Sequence, residues 1–129
     1  MADRKHYTSG APWENIVGYS RAIKVGQVIE VSGTTSVRDG KVLHVGDPYL
    51  QAKEIIKIAN DAIIQAGGTL SDVVRTRMYV TDINNWEAIS KAHGEFFRDI
   101  KPATTLVEVS RLIDSDMLVE IEFTAYLRS

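Results

Sequence analysis

Hydrophobic and polar positions alternate along much of the chain, and the places where the alternation changes period mark its elements. From Gln27 to Gly33, Ile29 and Val31 share one side of an extended segment, while Val28, Glu30 and Ser32 share the other. Asp39-Gly40 then predicts a hairpin turn, because Gly tolerates the positive φ such turns need. At Asp47-Pro48 the period becomes helical, with Asp as N-cap and Pro at the first helical position. Ala52, Ile55, Ala59, Ala62 or Ile63, and Ala66 recur at steps of three and four up to a stop at Gly67-Gly68. Period two returns over Val73–Thr81, setting Val74, Thr76, Met78 and Val80 against Arg75, Arg77 and Tyr79. Asn84 and Glu87 predict a capping box for a second helix, which carries Trp86, Ile89, Ala92 and Phe96 and ends at Lys101-Pro102. Two strands follow, Thr104–Val109 and Leu118–Tyr126.

The predicted order is β-β-α-β-α-β-β, an α+β domain with a mixed sheet and two helices packed on one face. No repeat or linker divides the sequence, so residues 1–129 are expected to form one domain. Residues 1–13, polar and broken by Gly10 and Pro12, read as a partly ordered N-terminal arm. Trp86 and the Phe96-Phe97 pair read as core.

A chain of 129 residues without cysteine has no disulfide, thiolate metal site or cysteine nucleophile. A formal charge of −2 supplies no general field for a phosphate backbone, so nucleic acid is not an expected partner. Arg4, Lys5 and His6 have no apolar run behind them, unlike a signal peptide, and no segment is apolar enough to span a bilayer. A cytoplasmic protein with no membrane partner is expected. His6, His44 and His93 are too scattered for a zinc site, so no metal is expected. His93 near the apolar side of its helix reads as a hydrogen-bonded interface residue, and the serines lie in no nucleophile elbow.

The strand faces opposite the apolar ones are unusually charged. By parity they collect Glu30 and Ser32; Arg75, Arg77 and Tyr79; Thr104, Leu106 and Glu108; and Glu120, Glu122 and Thr124. Such a face is either solvated, with cross-strand Arg–Glu pairs worth about 0.2–1 kcal/mol each, or enclosed by other subunits around a wet cleft.

Six short segments, together covering nearly all of Gly18–Tyr126, resemble those of the Rid (reactive intermediate deaminase, YjgF-like) family. Gly18-Tyr19-Ser20-Arg21-Ala22 resembles its YSxA, Val31-Ser32-Gly33 its TSG, and Val80-Thr81-Asp82-Ile83-Asn84 its VxDMND. Pro102-Ala103-Thr104 stands at its PAR, Val107-Glu108-Val109 with Arg111-Leu112 at its VEVxRL, and Val119-Glu120-Ile121-Glu122 at its VEIE. The resemblance implies a chorismate-mutase-like fold and a homotrimer whose sheets close a central barrel, with ligand clefts between subunits. It implies a small-molecule metabolite as partner and hydrolysis of reactive enamines and imines, such as 2-aminoacrylate, to 2-oxo acids and ammonia without a cofactor. Glu120 would act on the attacking water, Ser32 and Gly33 would hold the substrate, and Tyr19 would close the cleft.

The departures concentrate where the family holds its substrate. Thr104 replaces the Arg of PAR, which grips the substrate carboxylate; Ser90 stands for Asn, His93 for Tyr, Leu106 for a common Cys and Ile113 for Pro. A single hydroxyl cannot form the guanidinium's bidentate fork, so a substrate other than 2-aminoacrylate is expected. Arg77, with Arg75 on the same face, is either a substitute anion clamp or a partner for Glu108, Glu120 or Glu122. The rival functions are a non-catalytic trimeric metabolite-binding regulator and an endoribonuclease or translation inhibitor.

Overall fold

The alternating segments pair into a six-stranded sheet in the computed structural model, which describes residues 3–128. Strands β1 (Arg4–Tyr7), β2 (Ala22–Val25), β3 (Val28–Thr34), β6 (Val73–Val80), β7 (Ala103–Glu108) and β8 (Val119–Tyr126) lie in the order β1-β2-β3-β8-β6-β7. All neighbours are antiparallel except β6 and β7, which helix α3 (Trp86–Phe97) joins as a parallel crossover. Helix α2 (Pro48–Gln65) packs beside α3 on the same face of the sheet. The expected mixed α+β architecture is present. A hairpin of β4 (Val37–Arg38) and β5 (Lys41–Val42) turns through Asp39 and Gly40, both at positive φ.

The core lies between helices and sheet. Ile55, Ile56 and Ile63 of α2 and Ile89 of α3 meet Ile29, Ile121 and Phe123 of the strands, all at most 1% exposed. Each such side chain contributes roughly 1.5–3 kcal/mol by leaving water. Asp47 caps α2 by accepting the Leu50 N–H at 3.0 Å, and Gly67 at φ 95° ends it while the Gly68 N–H donates to Ile63 O.

Five expectations change. The segment read as an arm holds β1, paired in register with β2, and opens helix α1 (Pro12–Val17); cross-strand hydrogen bonds order a stretch whose side chains are polar. A register shift between Val73 and Arg75 buries Val73 and turns Val74 outward, since a bulge resets parity at one residue. The Asn84–Glu87 capping box does not form: Ile83–Asn85 is a 3-10 turn capped by Asp82, and α3 starts one residue later without a side-chain cap. Trp86, at the first position of α3, is 51% exposed, whereas Phe97 is core. On β7 the parity is reversed. Thr104, Leu106 and Glu108 pair with Thr76, Met78 and Val80, and so lie on the helix-bearing face, while Thr105 and Val107 join Arg77 and Tyr79. The run ATTLVE has no clear alternation, and only pairing with β6 fixes its facing.

Candidate active site

A cavity of about 200 Å³ opens beside the ends of β3 and β8. Its apolar wall includes Trp13, Val17, Ile113 and Met117, and its polar groups include Tyr19, Arg21 and Glu120. Gly33 lines it as well, and a Cβ there would come within 2.9 Å of the Glu120 carboxyl, so the glycine is what lets that carboxyl occupy its position. Burial pushes the Glu120 carboxyl above its ordinary range, repulsion from Glu122 adds to the rise, and the Arg21 charge opposes it. No hydrogen bond from the described residues occupies its oxygens. It is a carboxyl with raised proton affinity and free lone pairs against an apolar wall.

Arg21 is the cation of this cavity, and sequence reasoning quoted it only within a motif. It is 5% exposed, and its guanidinium donates to the Gly33 carbonyl at 2.8 Å, Thr34 Oγ1 at 3.1 Å and Ser9 Oγ at 3.2 Å, with Tyr19 Oη at 3.4 Å. Glu14, buried on α1, faces it at 3.6 Å. Burial would raise the Glu14 carboxyl, yet hydrogen bonds from Thr8 and Ser9 and the Arg21 charge hold it below the usual range. Pro12 at the start of α1 puts Glu14 in the first turn, the one local signal that could have singled it out.

Ser32 lies one residue from the cavity but is otherwise engaged. Its hydroxyl donates to the Ser20 carbonyl at 2.7 Å, and it lines a neighbouring depression with Tyr19. The structure therefore gathers Tyr19, Gly33 and Glu120 in one place with Ser32 at its edge.

The remaining predicted residues lie elsewhere in the chain. Arg77 is exposed on the sheet face away from the helices, opposite Glu122. Among the described residues neither Arg75 nor Arg77 forms an ion pair; Arg75 donates to Thr105 Oγ1 at 2.6 Å, and Glu122 accepts from Tyr79 Oη at 2.7 Å. Within one chain, β7 turns Glu108 to the other face and Glu122 accepts from Tyr79, so neither is paired with Arg75 or Arg77 among the described residues. Thr104 is exposed on the open edge strand β7, with its hydroxyl 2.8 Å from that of buried Thr76. Thr76 also contacts His93 Nε2 at 2.9 Å, and His93 packs on Phe97 with ring centroids 4.6 Å apart. Burial lowers the His93 pKa, favouring the neutral ring. Ser90 is half-buried one turn before His93 on α3. Among the described residues no three His, Asp or Glu side chains gather as a metal site, and no helix is long and apolar enough to cross a membrane.

The chain is similar to known proteins along nearly its whole length. The model of the family described as Endoribonuclease L-PSP matches residues 9–127. A RutC family protein of Pyrococcus abyssi is 38% identical over 128 residues, covering 98% of each chain. An uncharacterized protein of Streptomyces coelicolor is 38% identical over 118 residues, covering 92% of this chain and 88% of its own. The crystal structure of a Mycobacterium tuberculosis member of the YjgF/YER057c/UK114 family superposes with a TM-score of 0.88 at 42% identity, covering 97% of this chain and all of the other.

Proposed function

The chain belongs to the Endoribonuclease L-PSP family, the YjgF-like or Rid group, and from that membership we propose that it hydrolyses small reactive imines to carbonyl compounds and ammonia in clefts between the subunits of a homotrimer. The observation that carries the reading is Glu120, a carboxyl of raised proton affinity with unoccupied lone pairs in an apolar-walled cavity.

An enamine first becomes its imine by proton transfer to carbon. Water then adds through oxygen to the imine carbon, the C=N π electrons move to nitrogen, and Glu120 takes a proton from the water and returns one to nitrogen. The resulting carbinolamine loses ammonia as its oxygen re-forms a carbonyl. Because the imine is already electrophilic, one positioned carboxyl is enough to shuttle the proton. The Arg21 guanidinium orients the Gly33 carbonyl and the Tyr19 ring that frame the substrate.

Thr104 and Ser90 sit apart from Glu120 within one chain, on the other side of the sheet. On the trimer reading, β7 of one subunit faces the cavity of the next, so Thr104 and Ser90 complete the neighbour's site. The open edge of β7 supports this, since unpaired strand edges are usually covered. The word endoribonuclease describes the family; a net charge of −2 favours a small ligand over RNA here.

The test is ammonia release from freshly generated 2-aminoacrylate and from neutral or bulkier imines, with wild type, Glu120→Ala and Thr104→Arg. Turnover of some imine that Glu120→Ala abolishes is the expected result. No release above the uncatalysed rate from any of them would overturn the catalytic reading and leave a metabolite-binding protein. Sedimentation as a monomer would overturn the assembly.

A further inference from the structure

We infer that Thr104 presents a hydrogen-bond acceptor, and no donor, to the ligand, so that this chain selects substrates bearing an N–H or other donor group where a carboxylate would otherwise sit. The inference rests on the inter-subunit cleft just proposed and names the substrate class it takes.

Thr104 has one hydroxyl proton, and it stands within reach of two internal acceptors. Thr104 Oγ1 lies 3.1 Å from the Pro102 carbonyl and 2.8 Å from Thr76 Oγ1, which in turn lies 2.9 Å from His93 Nε2. A hydroxyl carries one proton and two lone pairs, so only two polarities of this row are possible. If His93 Nε2 carries its proton, it donates to Thr76, Thr76 donates to Thr104, and Thr104 donates to Pro102 O. If Nδ1 carries it, the row reverses: Thr104 donates to Thr76, and Thr76 donates to Nε2.

In both polarities the Thr104 proton is held inside the chain, and at least one lone pair remains on an oxygen that the open strand edge exposes. Thr76 is fully buried and, among the described residues, its hydroxyl meets only His93 and Thr104. A carboxylate arriving at Thr104 meets lone pair against lone pair, or must take a proton already bonded. An amide, amidine or ammonium meets an acceptor already oriented, which is the arrangement that rejects ligands lacking the donor. Thr76 and His93 are thus positioning residues that set what Thr104 offers.

The experiment measures the affinities of pyruvate and pyruvamide, one carbon skeleton with and without an acidic group, for the assembled protein, alongside the ammonia assay. Wild type is expected to bind pyruvamide at least tenfold more tightly. Thr104→Ser should keep that preference, Thr104→Val should reduce it to within about threefold of parity, and Thr104→Arg should reverse it. Thermal melts of the four proteins confirm that each is folded. Pyruvate binding as well as pyruvamide in wild type, or an unchanged ratio in Thr104→Val, overturns the inference even if imine turnover through Glu120 is intact. Binding of neither probe together with no ammonia release overturns the cleft reading and this inference with it.

Discussion

Gly33 and Glu120 touch at a point where a side chain on residue 33 would have to move the carboxyl: a Cβ there would stand 2.9 Å from both Cδ and Oε2. The carboxyl is the movable end of a flexible side chain, so alanine here would displace it rather than break the strand. Gly33→Ala is expected to change stability by less than about 1 kcal/mol while lowering imine turnover at least tenfold. A variant with full turnover would show that the position of the carboxyl is immaterial.

Glu120 should also be a site where function opposes stability. Its folded-state pKa is raised by burial first and by Glu122 second. Its favourable contribution is therefore present below the unfolded carboxyl pKa of about 4.3 and is lost as pH rises through the raised folded value. Glu120→Gln, which removes the charge, should become progressively more stable than wild type as pH rises from the unfolded carboxyl pKa through the raised folded value, and the gap should level off above it. Urea midpoints across that range test the sign; a gap independent of pH would refute it.

The buried Glu14–Arg21 pair makes a different prediction. Removing one partner of such a pair leaves the other charge uncompensated, a loss of about 3–5 kcal/mol. Glu14→Ala should therefore cost far more than a surface change, and Thr8 and Ser9, which donate to the same carboxylate, would lose their anchor. Because the pair also orients Gly33 and Tyr19, a milder Glu14→Gln should weaken ligand binding even where the fold persists. Chemical denaturation and pyruvamide affinity read the two effects separately.

Gln51 holds the loop ahead of β8. Fully buried, it donates to the carbonyls of His44 and Asp116 at 3.2 and 2.9 Å and accepts the Leu118 N–H at 2.9 Å. Gln51→Leu keeps similar bulk but orphans three backbone groups, at about 1–3 kcal/mol for each that water does not reach. A loss above about 2 kcal/mol in denaturant unfolding is expected; a smaller one would mean that the loop relaxes to water.

Period and punctuation were enough to read the two long helices, both ends of α2 and most strands of the sheet, but not β1 or the cap of α3, because burial of one face per element leaves a direct mark on residue order. Asp47, Pro48 and Gly67 act within their own turns, so local chemistry specified them fully. Tyr19, Gly33 and Glu120 were singled out by resemblance to the family's motifs and not by periodicity, and the structure brings the three around one cavity.

Other features depended on contacts between distant segments. The facing of Thr104 follows from its register with β6, not from the unpatterned run ATTLVE. The bulge that turns Val74 outward belongs to a strand pair. Glu14 and Arg21 look like ordinary surface charges in the sequence and become a buried pair only when the fold brings α1 beside the residue that precedes β2. Gln51 likewise gains its role from a loop 65 residues away. Hydrophobic periodicity records which side of an element is buried, whereas the partner of a polar atom is decided by what the rest of the chain brings to it.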